Sequence, residues 1–214
     1  MEKIFVIGDI HGCISYLEDL MAMIEVDPGQ DEIVFIGDYI DRGPDIKGVV
    51  EFILELKNKF KIICLIGNHE RMFLDYYEYG HNAELWFANG GTSTVNSYGI
   101  IKTQEGKKLD IPPEHLRFFR SLLPYYETEN YIFVHAGLKP DVPLSEQKMI
   151  DLVWIREDFI YSQHNFGKLV IFGHTPQPTE PYIDPYKIGI DTGAVYGGKL
   201  TCLELPAVKF YQVP

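Results

Sequence analysis

"VIGDIHGCIS", residues 6–15, sets Asp9 and His11 between two glycines directly after an apolar run. Such a run, short, rich in Ile, Val and Phe and without helical spacing of polar residues, reads as a buried strand. The same grammar recurs along the chain. The runs are "KIFVI" (3–7), "EIVFI" (32–36), "KIICLI" (61–66), "YIFV" (131–134) and "KLVIF" (168–172). They continue as Gly8-Asp9, Gly37-Asp38, Gly67-Asn68-His69, His135-Ala136-Gly137 and Gly173-His174-Thr175. Each predicted strand thus ends on a small residue beside a side chain able to bind a ligand. In an open α/β sheet the carboxyl ends of strands line the binding crevice, and glycine allows the sharp turn there. The five ends predict one composite site.

Between the first three runs, Ile14, Leu17, Leu20, Met21 and Ile24 recur at helical spacing, as do Val49, Phe52, Ile53 and Leu56. Pro44 suits a first helical turn, so the opening reads βαβαβ. Helical pieces are expected from Glu70 to about Phe87, loop and weak helix over 89–111, and a short helix within "PPEHLRFFRSLLP" at 112–124. From Tyr125 onward the pattern is mainly strands, ending in "KLTCLELP" and "AVKFYQV". No linker or strong internal repeat divides the chain. The expectation is an α/β (α+β) fold, a β-sandwich flanked by helices, as a single domain over 1–214.

Composition narrows the partners. With 46% hydrophobic and 23% charged residues the chain is composed like a globular protein. Its net charge of −12 argues against stable nucleic-acid binding through a broad basic surface. Cys13, Cys64 and Cys202 match neither a disulfide framework nor a zinc site, and reduced structural thiols are expected. There is no long apolar stretch and no signal-peptide pattern, so a cytoplasmic protein with no membrane partner is expected. Oligomeric state is not readable from the chain.

The candidate ligands are Asp9, His11, Asp38, Asn68, His135 and His174. This all-oxygen-and-nitrogen set suits a pair of divalent ions better than one structural zinc. Two ions about 3.5–4 Å apart share and activate a hydroxide and stabilise an in-line phosphoryl transition state. Singly, each residue has a plainer reading: Asp9, Asp38 and Asn68 as turn or cap residues, His135 and His174 as core histidines. Their recurrence at five strand ends favours the site. Rival chemistries lack motifs: there is no GxSxG or GxxxxGK[ST], and Phe73 breaks HExxH in "HERMF".

The motifs "GDIHG" (8–12), "GDYIDRG" (37–43), "GNHE" (67–70), "HAG" (135–137) and "GHT" (173–175) resemble those of the calcineurin-like metallophosphoesterases. Within that family the likeness is to phosphoprotein phosphatases of bacterial and phage-lambda type, and it runs from about Ile4 to Leu205. The resemblance implies that Asp9 and His11 hold a first metal, that Asp38 bridges, and that Asn68, His135 and His174 hold a second. It implies His69 as general acid oriented by Asp41, and Arg42 as a phosphate clamp, for which a guanidinium fork is apt. Arg156 in "WIRE" is a second clamp by likeness to "WSR", although Ile155 stands where that motif has Ser. Glu70 and Asp191 are supporting candidates, with helix-start or turn roles as alternatives, and Tyr196 in "AVYGG" lies near the expected rim, with a turn role as the equal alternative. The aromatic stretch 73–87 reads as packing more than as a substrate groove. His81, His115 and His164 fit no motif and are assigned surface or structural roles.

The function implied is a dinuclear metal-dependent phosphomonoesterase, with direct attack of the bridging hydroxide on a phosphorylated protein or small phosphorylated substrate. Manganese is the first expectation for the metal, with iron, zinc, nickel or cobalt also compatible. "GNHE", rather than "GNHD", favours a serine/threonine or tyrosine protein phosphatase over the runner-up, a symmetrical dinucleoside-tetraphosphate hydrolase. A non-catalytic metal-binding scaffold is the rival from another class; an intact His69, Asp41 and Arg42 argue against it.

Overall fold

The structure, a computed structural model, describes residues 2–103, 106–177 and 180–214. The opening folds as β1 (Ile4–Ile7), α1 (Ile14–Met23), β2 (Glu32–Phe35), α2 (Ile46–Leu56) and β3 (Lys61–Cys64), with the three strands parallel. Helices α3 (Asn68–Tyr79), α4 (Ala83–Ala88) and α5 (Gly91–Tyr98) follow, then the hairpin β4 (Ile100–Thr103) and β5 (Gly106–Leu109) and helix α6 (Pro113–Arg120). The remainder is β6 (Tyr125–Glu127), β7 (Tyr131–Val134), α7 (Met149–Trp154), α8 (Glu157–Ile160), β8 (Leu169–Phe172), β9 (Tyr182–Ile183), β10 (Lys187–Gly189), β11 (Leu200–Leu205) and β12 (Lys209–Val213).

Two five-stranded sheets result, ordered β12-β11-β1-β2-β3 and β6-β7-β8-β10-β9. Alternate side chains of each strand point to opposite layers. Val6, Val34, Phe133, Ile171 and Leu203 interlock in the core between the sheets. Phe5, Ile7, Ile33 and Phe35 face the other way, into the cluster that contains Leu17 and Leu20 of α1 and Val49 and Ile53 of α2. Both faces of these strands are covered, which is why their runs are continuously apolar. The architecture is the expected α/β sandwich flanked by helices. Among the described residues no helix is long and apolar enough to cross a membrane.

Three local expectations change. Pro44 precedes α2 rather than entering its first turn: Asp45 caps the helix, its carboxylate accepting from Gly48 N at 2.8 Å. The 89–111 stretch holds helix α5 and the hairpin; Gln104 and Glu105 lie outside the described residues. Ile100 and Ile101 both stay exposed in β4, so burial did not impose on it the alternation that marks a strand in sequence. The strand-rich second half also contains α7 and α8, six and four residues long and too short to show a helical period. The three cysteines are free and buried.

Candidate metal centre

The site lies where the carboxyl ends of β1, β2, β3, β7 and β8 meet, three from one sheet and two from the other. The β1 and β2 loops are stitched together by backbone bonds. Ile10 N and His11 N donate to Asp38 O at 3.1 and 2.8 Å, and Gly12 N donates to Tyr39 O at 3.0 Å. Glu70, at the third position of α3, locks the second loop: its carboxylate accepts from Gly67 N, Asp38 N, Tyr39 N and Ile40 N at 3.0, 2.9, 2.8 and 3.2 Å. Burial and the nearby Asp38 push the Glu70 carboxyl up, to about 8, against the pull of these donors.

The loops are strained. His11, Asp38, Asp41, Arg42 and His174 all have φ between 46° and 68°. Non-glycine residues rarely take this left-handed conformation, and when they cluster they mark positions that the surrounding structure over-determines. Space is equally tight. A β-carbon on Gly67 would overlap Asp38 Oδ1, and one on Gly173 would overlap Asp9 Oδ1.

Six of the six expected ligands arrive here, all buried. The ligand atoms of His11, Asp38 and His69 lie within 4.8 Å of one another, as do those of Asp38, His135 and His174. Asp38 belongs to both groups. Asn68 joins the second, its Oδ1 3.0 Å from His135 Nε2. Asp9 enters neither triad; its carboxylate accepts from His174 N at 3.1 Å and stands near Asp191.

These residues fit divalent cations. His135 Nδ1 donates to Ile36 O at 2.9 Å, which leaves a lone pair on Nε2 facing the Asn68 oxygen, two acceptors that a cation would reconcile. Among the described residues, His69 Nε2 and His174 Nε2 are buried without a hydrogen-bond partner, a costly condition that metal coordination relieves. His11 is held in the same way: Nδ1 donates to Ile40 O at 2.7 Å, and Nε2 accepts from Arg42 Nη1 at 2.7 Å. Burial drives the imidazoles of His11 and His174 down, to about 3 and about 2, and lowers His135 as well.

Three carboxylates share the site, which itself calls for positive charge. Burial, then Asp191 and Asp38, raise Asp9 well above the carboxylate range. Burial also raises Asp191, to about 6, although its Oδ1 accepts from Gly193 N at 2.9 Å. At Asp38 burial acts upward too, but His135, His69, His11 and His174 together hold it below the usual range.

Beside this cluster, His69 Nδ1 donates to Asp41 Oδ2 at 2.6 Å. Asp41 is held in turn by Trp86 Nε1 at 3.0 Å and by Thr94 Oγ1 at 2.5 Å. Trp86 and Thr94 were not expected from sequence. Trp86 sat within a stretch read as packing; its ring does pack, fully buried, and the rule that a buried indole N–H seeks an acceptor is the signal that was available.

The rim is less enclosed. Arg42 Cζ stands 5.5 Å from the Tyr196 ring centroid, so the exposed tyrosine does reach the rim. Arg156, also exposed, donates to Thr175 Oγ1 at 3.2 Å, one residue beyond His174. Asp191 does not support a ligand histidine: among the described contacts its bond is to Gly193 N and its neighbour is Asp9. Of the unassigned histidines, His115 is buried against the Tyr98 hydroxyl at 2.8 Å, His164 pairs with Asp141 at 3.1 Å, and His81 is exposed.

Comparison with known proteins agrees with this geometry. The bis(5'-nucleosyl)-tetraphosphatase PrpE [asymmetrical] of Bacillus cereus (strain Q1) is 28% identical, the alignment covering 99% of this chain and 94% of that protein. Its counterpart in Bacillus anthracis (strain CDC 684 / NRRL 3495) is 27% identical over the same shares. A solved structure described as a candidate diadenosine tetraphosphatase superposes with a TM-score of 0.78 at 24% identity, covering 100% of this chain and 93% of that one. A cold-active protein-tyrosine phosphatase of Shewanella sp. shares the fold more distantly, with a TM-score of 0.65 at 18% identity over 100% of this chain and 81% of that one. The family model for calcineurin-like phosphoesterases matches residues 2–203, and the chain is a member of that family.

Proposed function

We propose that this metal-dependent phosphoesterase hydrolyses a phosphoanhydride bond in a dinucleoside tetraphosphate, dividing it unequally into a nucleoside monophosphate and a nucleoside triphosphate. The observation that carries this reading is the end-to-end alignment with asymmetrical bis(5'-nucleosyl)-tetraphosphatases. It favours the runner-up expectation, a dinucleoside-tetraphosphate hydrolase, over the protein phosphatase suggested by Glu70, with the expected cleavage asymmetrical rather than symmetrical. Glu70 spends its carboxylate on four backbone N–H groups and is fully buried, so a one-carbon difference there does not touch substrate.

In this reading Asp9, His11, Asp38, Asn68, His135 and His174 would hold two divalent cations, Asp38 standing in both groups of candidate ligands, and manganese is the first to test. The chemistry supplied by bound cations is polarisation of the phosphoryl group and acidification of an attacking water. The chain does the rest. Asp41, anchored by Trp86 and Thr94, fixes His69 so that Nε2 faces the reacting group as a proton donor, a role that a phosphate leaving group needs less than an alkoxide does. Arg42 and Arg156 flank the cluster from the rim and bind phosphoryl oxygens.

The test incubates the purified protein and Mn²⁺ with diadenosine tetraphosphate and resolves the products. Equimolar AMP and ATP are expected. ADP alone would restore the symmetrical reading, and turnover of phosphopeptides without dinucleotide cleavage would restore the protein phosphatase.

A further inference from the structure

A groove of about 340 Å³ opens between α3 and α7 beside the metal centre. That size falls within the range of small-molecule sites. Two elements tie it to the ligand cluster. Helix α3 begins with Asn68 and His69 and carries Arg71 and Asp75 into the groove. Helix α7 ends at Trp154, which lines the groove and whose ring stands edge-on to His174, centroids 5.8 Å apart.

The lining has a specific chemistry. Leu85 and Ile150 are 46% and 59% exposed, two aliphatic walls open to solvent. Arg71 and Asp75 neutralise each other through two bonds, Nε to Oδ2 at 3.2 Å and Nη2 to Oδ1 at 2.8 Å. Asn82 adds an amide at the edge. The groove is therefore largely apolar, with its one ion pair internally neutralised, whereas the adjoining centre gathers the candidate metal ligands.

This division matches a molecule with an anionic chain and an uncharged planar end. Every base presents a π-face for stacking, and its polar edge needs a few hydrogen-bonding groups. We infer that the groove is a nucleoside subsite: it seats one nucleoside arm of the dinucleoside polyphosphate, the base against Trp154 and its edge toward Asn82 and Asp75. The inference rests on the function proposed above, and supplies that function's substrate selectivity.

Trp86 is fully buried, so Trp154 is the accessible indole of the two in the sequence and reports on the groove directly. AMP added to the full-length protein without metal should quench its fluorescence, and I150E and L85E, both at exposed positions, should each weaken that quenching. With Mn²⁺, the ratio of kcat/KM on diadenosine tetraphosphate to that on p-nitrophenyl phosphate should fall on the order of tenfold in either variant, as for a lost apolar pocket contact. Absent quenching, or quenching and a ratio that neither variant alters, overturns the subsite. A wild-type protein that does not cleave the dinucleotide overturns the proposed function instead, and the AMP measurement then decides the groove on its own.

Discussion

His69 and Asp41, twenty-eight positions apart, meet at 2.6 Å through Nδ1 and Oδ2, both side chains completely buried. The bond commits one ring nitrogen to a carboxylate; among the described residues Nε2 has no hydrogen-bond partner, and Asp38 Oδ2 stands 3.9 Å away. Two roles are open to that nitrogen, metal ligand or proton donor, and they separate experimentally.

His69→Asn should keep two metals per chain by elemental analysis while slowing catalysis in a way that depends on the leaving group. A phosphate leaving group has a second pKa near 6 and scarcely needs protonation, whereas a departing alkoxide does. The loss should approach roughly 10²–10⁴-fold on an alkyl phosphomonoester and be much smaller on diadenosine tetraphosphate. An equal loss on both substrates, together with a missing metal, would make His69 a ligand.

Asp38 stands in both ligand triads, so Asp38→Asn should lower metal stoichiometry at both positions rather than one. It should also abolish the stabilisation conferred by metal. For a ligand at 100 times its Kd this amounts to about 2.7 kcal/mol, read as the difference in unfolding free energy with and without chelator. A variant that still binds two ions with wild-type affinity would remove Asp38 from its bridging place.

Glu70 clamps backbone, so Glu70→Asp should change stability and leave substrate preference alone. The shorter side chain cannot span all four donors, and each buried N–H left unpaired costs about 1–3 kcal/mol. Urea unfolding measures the loss. A shift in preference between phosphopeptide and dinucleotide would show that Glu70 does influence substrate.

His115 gives the fold an acid-sensitive point away from the ligand cluster. Burial holds its imidazole below the ordinary value, with Glu51 and Glu114 opposing and Lys47 assisting. The unfolded chain therefore takes up the proton more readily. The stability contribution is whole above the unfolded pKa of about 6.5 and is lost as pH falls toward the depressed folded value. The unfolding free energy of wild type should fall toward that of His115→Gln between about pH 7.5 and 5.5, by up to ~1.4 kcal/mol per pH unit. A pH-independent difference between the two proteins would exclude this linkage.

The strands that carry the site were legible because each packs on both faces, β3 less completely than the others, and a chain covered on both sides must be apolar at successive positions, as Phe5, Val6 and Ile7 are. Glycines marked where those runs had to turn, with the ligands beside them. The hairpin at 100–109 escaped because Ile100 and Ile101 stay exposed while Leu109 reaches the core, so nothing imposed alternation on the first strand.

From the amino-acid order alone came the buried strands, the first two helices and the six side chains offered at the strand ends, each a consequence of local periodicity or of the turn chemistry of glycine. Tertiary structure alone decided that β11 lies antiparallel beside β1, that Glu70 serves the backbone, and that Trp86 and Thr94, 45 and 53 residues away, hold Asp41. These are hydrogen bonds between groups that only burial obliges to find a partner, and the partner is whichever group the packed chain brings within reach.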